Sequence, residues 1–339
     1  TYLDSYFIIN HAGSMSIHVS NGYNGLTWNA LATAPVQATP DLLQVVINLH
    51  QQLWCIKEYA TEIWYNTQTP VTTGSPFLRT PGAVLDVGTP APWTVARGDN
   101  SIFFLAAARG EGPGALIGVV EMSGYSHVVI SPPSINYQIH QMSTVADAFA
   151  YFYSMGGHSF YVITFPTGKA TYVYDTTTQM WHEWSTYNGA PYTYDRHMSN
   201  CYAYFNGKHY VGDWRNGNIY ELRSDVYMDA NDPIVSVRIA QHQADKRELG
   251  NVFYHKLVVD AETGVGNALS PNPLISLAWS DDGGHMYSSE HLAILGAVGT
   301  YNTRLIWRKL GCSRDRIFRI TNSEPVKKVL IGGYVEATA

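Results

Sequence analysis

The chain is cut every few residues by Gly, Asn, Asp and Pro into short β-prone runs, and these runs come in groups. The first group spans Leu3 to Val19, with a turn at His11-Ala12-Gly13-Ser14. The second holds Leu43 to Leu49, Leu53 to Ile56 and Ile63-Trp64-Tyr65. After a Pro/Gly/Thr-rich connection, Ile102 to Ala106 is expected to pair with Leu116 to Val120 across the glycine-rich turn 109–114. The fourth group holds runs at 148–152, 159–165, 170–174 and 180–184, and the fifth runs at 200–205, 208–213 and 218–222. The groups recur about every 40–58 residues, the spacing of propeller blades. A chain so divided cannot form long helices, and its alternation suits antiparallel sheet.

Composition narrows the classes further. The 339 residues are 45% hydrophobic and 13% aromatic but only 14% charged, against about 25% charged in an average soluble domain. So few charges and so much apolar mass exclude disorder. A net charge of −6 disfavours a general nucleic-acid binder, which needs a basic surplus. No apolar run is long enough to span a bilayer, so no membrane insertion is expected. The chain opens on Thr1 in a run that reads as a strand in progress; upstream residues are expected to supply further propeller strands. Cys55, Cys201 and Cys312 are far apart with no Cys-x-x-Cys, so reduced, mostly buried thiols are expected.

The fourth group is the clearest blade. Gly156-Gly157-His158 precedes a strand, Tyr174-Asp175 ends one, and Trp181 to Trp184 close the unit. This is similar to a kelch-type blade, in which Trp packs between sheets and Asp ties a turn through its side-chain oxygen. Trp181, Trp184, Tyr174 and Asp175 are therefore the blade-packing candidates. In the fifth group, Asn206-Gly207 is a two-residue hairpin signal. One helix is expected near 134–143, with a Ser N-cap from Ser131-Pro132-Pro133-Ser134 and Ile135, Ile139 and Met142 at helical spacing. From Asp225 the texture changes to alternating runs at 234–239, 255–260, 274–280, 304–307, 316–320 and 326–331, as in half-buried antiparallel strands. The reading is all-β: propeller blades over 1–224 and a β-sandwich-like domain over 225–339. A sandwich with incidental repetition is the alternative for the first part.

No catalytic constellation stands out, and no cofactor is expected. Gly168-Lys169 lacks the Gly that a phosphate-binding loop needs five positions earlier. The thirteen His show no paired metal spacing, and there is no Gly-x-Ser-x-Gly elbow. Ser280-Asp281-Asp282-Gly283-Gly284-His285-Met286-Tyr287 resembles the Asp-box of sialidase-type propellers. There Ser280, Asp282, Gly284 and Tyr287 would build a structural turn. A calcium loop is the functional alternative, but the following carboxylates are missing.

The order of these segments resembles the packaged-DNA stabilisation proteins, the tail hubs of short-tailed, Salmonella-type bacteriophages. The strand pair ending Ile63-Trp64-Tyr65 is similar to one of their blades, and Ser134 to Trp184 to their helix-then-blade segment. The most specific piece is Arg304-Leu305-Ile306-Trp307-Arg308-Lys309-Leu310-Gly311, followed by Arg314 to Ile320 and Ser323-Glu324-Pro325-Val326.

The resemblance implies a non-enzymatic virion tail protein, assembled in the host cytoplasm. It implies a homo-oligomeric, six-fold ring below the head-to-tail adaptor. The ring would carry the tail needle, dock a tailspike or fibre, and help seal packaged DNA, with double-stranded DNA only as transient cargo. Net negative charge suits a passage that must not grip phosphates. Arg304, Arg308, Lys309, Arg314 and Arg316 form the exception. They are candidates for contact with an acidic patch on a partner, or a solvated strand face. A carbohydrate-binding or sialidase-like propeller is the alternative function, motivated by the Asp-box and the Tyr/Trp surplus. It would need converging arginines, yet Arg79, Arg97, Arg109, Arg196, Arg215 and Arg223 lie on scattered segments.

Overall fold

A computed structural model of the chain describes residues 1–11, 13–110, 116–188, 193–244 and 250–338. Ala12 and residues 111–114 of the two expected turns lie outside them. The chain forms two compact units. The first comprises residues 1–186, 194–202 and 212–217; the second comprises 187–193, 203–211 and 218–339.

Up to residue 222 the strands form five sheets, each running in chain order. The first holds Tyr2–Leu3, Tyr6–Asn10, Ser16–Asn21 and Asn24–Pro35. The second holds Leu43–Leu49, Gln52–Lys57, Thr61–Asn66 and Phe77–Leu85. The third holds Ala96–Gly98, Ser101–Ala107, Leu116–Ser123 and Ser126–Val129. The fourth runs from Phe149–Met155 through His158–Phe165, Ala170–Asp175 and Met180–Asn188 to Thr193–Arg196. Ser199–Phe205, Lys208–Asp213 and Ile219–Leu222 make the fifth.

Period-2 alternation explains how these sheets stack. Successive side chains of a strand point to opposite faces. Leu53 and Cys55 therefore join the core shared with the first sheet, while Trp54 and Ile56 join the core shared with the third. Ile102, Phe104 and Ala106 face the second sheet; Phe103 and Leu105 face the fourth. Tyr161, Ile163 and Phe165 face the third sheet, and Val162 packs with Tyr151, Tyr153 and Tyr202. The inner strands thus carry unbroken apolar runs because each face meets another sheet. That serial face-to-face stacking of meanders is the packing of propeller blades.

Two fourth strands, Asn24–Pro35 and Phe77–Leu85, were absent from the sequence reading. They are edge strands, largely exposed, so no burial pattern marks them. Phe77–Leu85 also carries Pro81, which only an edge strand tolerates.

The α-helix spans Pro133–His140, and Ile135 and Ile139 are buried between the third and fourth sheets. The expected Ser cap is corrected: the N-cap is Pro132, with no side-chain cap bond. The Ser131 hydroxyl instead accepts the Val119 N–H at 2.8 Å and donates to Asn136 Oδ1 at 2.6 Å. The thiol expectation also changes. Cys55 is buried, but Cys201 and Cys312 are exposed, and all three are free.

Beyond the two-stranded pair Met228–Asp229 and Asp232–Pro233, the second unit holds two larger antiparallel sheets among the described residues. One has the order Ser236–Ile239, Asp315–Asn322, Leu274–Ser280, His291–Ile294. In the other, Val252–Ala261 lies between Leu305–Arg308 and Leu330–Thr338. Leu257, Val259, Leu305 and Trp307 from one sheet meet Ile275, Leu277 and Phe318 from the other in a single core. The Trp307 indole N–H donates to His291 O at 2.9 Å, tying the two sheets. The strand expected at 326–331 begins instead at Leu330. Val326 is buried in a turn whose Pro325 carbonyl accepts the Asn267 amide at 2.7 Å.

Candidate interaction surface

The fourth sheet shows what Trp and Asp do at a blade end. The Asp175 carboxylate accepts the Thr177 N–H at 3.0 Å, the Thr178 hydroxyl at 2.8 Å and His158 Nδ1 at 2.8 Å. Burial opposes its charge, but the bonds from Thr178, His158 and Thr177 together lower its pKa. Trp181 packs on Tyr174, ring centroids 5.2 Å apart, and donates its indole N–H to Ile130 O at 2.7 Å. Trp184 lies 5.0 Å from the His197 ring and 6.4 Å from Tyr153. These four residues pack and tie the end of the sheet.

The 280–287 turn is likewise closed on itself. Ser280 Oγ donates to Asp282 Oδ1 at 2.7 Å and accepts the Gly284 N–H at 2.8 Å. The Met286 N–H, at 2.9 Å, is the main cause of a lowered Asp282 pKa. Gly283 and Gly284 take φ of 78° and 97°, which a side chain resists. The Arg319 guanidinium sits 3.9 Å above the Tyr287 ring. The Asp282 oxygens are engaged by the turn, and among the described residues no group of His, Cys, Asp and Glu is placed to hold a metal.

The basic cluster divides. Arg316 is corrected: it is 2% exposed and belongs to the core. Its Nε and Nη2 reach the Asp281 carboxylate at 2.6 and 2.8 Å, and Nη1 donates to Leu310 O at 2.5 Å. Tyr254 and Trp279 present ring faces to it at 4.6 and 5.3 Å. A guanidinium is weakly hydrated and stacks on aromatics, so it survives burial with one carboxylate and two rings. Arg304, Arg308, Lys309 and Arg314 are exposed. Arg308 stands opposite Lys256, which stands opposite Glu336 on the third strand. The Lys256–Glu336 ion pair, at 2.5 Å, lowers the Glu336 pKa. An exposed charged row thus borders this sheet.

Five of the arginines before residue 224 hold separate local partners. Arg97 donates to Asn48, Arg109 pairs with Asp41, Arg196 covers Trp214, Arg215 pairs with Asp213 and Arg223 with Asp225.

One charged cluster escaped the sequence reading. Lys57 ends the apolar run of the second sheet and is 0% exposed. Its Nζ donates to Val36 O at 3.1 Å and to Thr39 O, and lies 3.5 Å from Asp41 and 3.7 Å from Glu62. A lysine closing the run Leu53-Trp54-Cys55-Ile56 was the available signal. Gly88 lets the chain approach: a Cβ there would meet Lys57 O at 2.3 Å.

The family model described as bacteriophage P22 Gp10, beta-propeller, matches residues 1–227. The one described as bacteriophage P22 Gp10, beta-sandwich, matches residues 243–338. A search of curated proteins finds no match. Among solved structures, a glycoside hydrolase family 43 arabinoxylan arabinofuranohydrolase from Bacillus subtilis, in complex with cellotetraose, is 8% identical with a TM-score of 0.25. The match covers 97% of this chain and 75% of that one, but similarity this low carries no argument. Among the described residues no helix is long and apolar enough to cross a membrane. With both Gp10 domain models matching in chain order, propeller then sandwich, this chain belongs to the bacteriophage P22 Gp10 family of phage structural, tail-hub proteins.

Proposed function

We propose that this chain is a non-enzymatic subunit of a six-fold tail-hub ring. The ring sits below the head-to-tail adaptor, carries the tail needle, offers a docking face to a tailspike or fibre, and helps hold packaged DNA inside the capsid. Assembly takes place in the host cytoplasm, and double-stranded DNA passes only as transient cargo. The proposed boundary between the propeller blades and the C-terminal β-domain lies at 224/225. The ordered match of both Gp10 domain models carries this reading. Surface chemistry supports it. The first sheet leaves Tyr23 and Leu26 at 88% and 94% exposure, and apolar and aromatic side chains suit contact faces. The net charge of −6 keeps phosphates from being trapped.

Arg304, Arg308, Lys309 and Arg314 are proposed as the partner-contact patch, because rim charges steer association. The test is reconstitution with the adaptor ring, read by electron microscopy. The expected outcome is a six-fold ring on the adaptor, with Arg308→Glu plus Arg314→Glu slowing its formation. A chain that stays monomeric with the adaptor and never enters purified particles sinks the reading.

A further inference from the structure

The geometry points to a covalent cross-link at one end of the second sheet: an amide bond between the Lys57 side-chain amine and the Asp41 carboxyl, with Glu62 as the proton carrier. All three side chains are buried, at 0%, 4% and 1% exposure. Two of the three directions around Nζ are taken by hydrogen bonds to Val36 O and Thr39 O. The third faces the carboxylates, 3.5 Å from Asp41 Oδ1 and 3.7 Å from Glu62 Oε1. Removing the proton on that third direction leaves the nitrogen lone pair aimed at Asp41.

The rest of the site suits acyl transfer. Asp41 Oδ2 accepts the Tyr59 backbone N–H at 3.0 Å, a donor placed where negative charge gathers when the carboxyl carbon is attacked. Oδ1 accepts no hydrogen bond and lies 3.6 Å from the Arg109 guanidinium. Glu62 is held in place by the Ala38 N–H on Oε1 at 2.8 Å and the Trp64 indole on Oε2 at 3.3 Å. Low dielectric strengthens each of these contacts.

The step balances without any co-reactant. Glu62 takes a proton from the Lys57 ammonium, and the amine attacks the Asp41 carboxyl carbon. The C–N bond forms, the C–Oδ1 bond breaks, and Oδ1 departs as water. Of the three ammonium protons, two leave on that water by way of Glu62 and one stays on the amide nitrogen. That N–H keeps one of the two backbone carbonyl bonds. A cleft of about 330 Å³ beside Asp41, between Tyr59 and Arg109, gives the water its exit. The bond joins the segment before the second sheet to its second strand, so the sheet could not be pulled open at that end.

The test is mass spectrometry of the full chain, both purified and taken from assembled particles. Lys57 is the first trypsin site in the sequence and Arg79 the next. The expected result is an intact mass lower by one water. Trypsin should fail at Lys57, and the peptide running through to Arg79 should carry the loss, with fragment ions joining Asp41 to Lys57. Glu62→Gln should restore the full mass and cleavage at Lys57. A wild-type chain of full mass, cleaved at Lys57 in both preparations, overturns the proposal whatever the variants do. Water loss with Lys57 still cleaved marks an Asp41 succinimide and overturns it equally.

Discussion

The second to fourth propeller sheets bury both faces, whereas the sheets of the sandwich bury one. In Ser101–Ala107 every residue is buried, because Phe104 meets the second sheet and Phe103 the fourth. In Val252–Ala261, Leu257 and Val259 enter the core while His255 and Asp260 face solvent. The two regions also differ in the cation they bury. The propeller holds Lys57, a compact charge that requires two carboxylates and two carbonyls. The sandwich holds Arg316, which spreads its charge over one carboxylate, a carbonyl and two ring faces. A two-sided sheet has no outer face to which a side chain can escape, so any charge within it must be matched in place.

The largest effect separates the two kinds of sheet. Phe103→Ala and Phe104→Ala, neighbours on opposite faces, should each destabilise the protein by about 3–5 kcal/mol, measured by denaturant unfolding. A small cost at either position would mean that one face of the sheet is not buried.

A pH effect should come next, on the propeller side. His197 packs on Trp184 and hydrogen-bonds Ser199 at 2.8 Å. Desolvation, with help from the Arg215 charge, lowers its pKa from 6.5 to about 4. Between those values the unfolded chain binds the proton that the folded chain refuses, so acid favours unfolding. Stability from this group is full above 6.5 and lost as pH falls to about 4. Urea midpoints at pH 7 and pH 5 should differ less in His197→Gln than in the wild type; equal differences would remove the assignment.

In the sandwich, Arg316→Ala strips Leu310 O of its donor and leaves two ring faces uncovered. A loss of about 2–3 kcal/mol is expected, smaller than a fully buried ion pair would show because Asp281 is partly exposed and water can serve it. Trp181→Phe keeps the packing on Tyr174 but removes the bond to Ile130 O, for about 1 kcal/mol. The smallest effect closes the comparison. Val258, between Leu257 and Val259 but on the outer face, should cost under about 0.5 kcal/mol as Val258→Ala. A cost near that of the propeller positions would mean that this face is also covered.

Legibility followed burial. The inner strands were readable because two covered faces leave an unbroken apolar run such as Ile102 to Ala106. The outer strands Asn24–Pro35 and Phe77–Leu85 were not, since exposed positions accept any polar residue. The Asp175 and Asp282 turns were readable because their bonds are local, spanning two to four residues. Arg316 was misplaced among surface charges because its partner Asp281 lies 35 positions away. Lys57 was overlooked for the same reason, with Asp41 16 positions upstream.

By itself the sequence determined an all-β chain of blade-like groups followed by an alternating region, together with the turns and the Trp and Asp that close a blade. These are short-range matters: periodicity and turn chemistry act over a few residues. Only the tertiary structure decided which sheet each face meets, which cations are core and which are surface, and that Lys57, Asp41 and Glu62 share one buried pocket. Those outcomes depend on which distant segments pack together, and no local pattern encodes that.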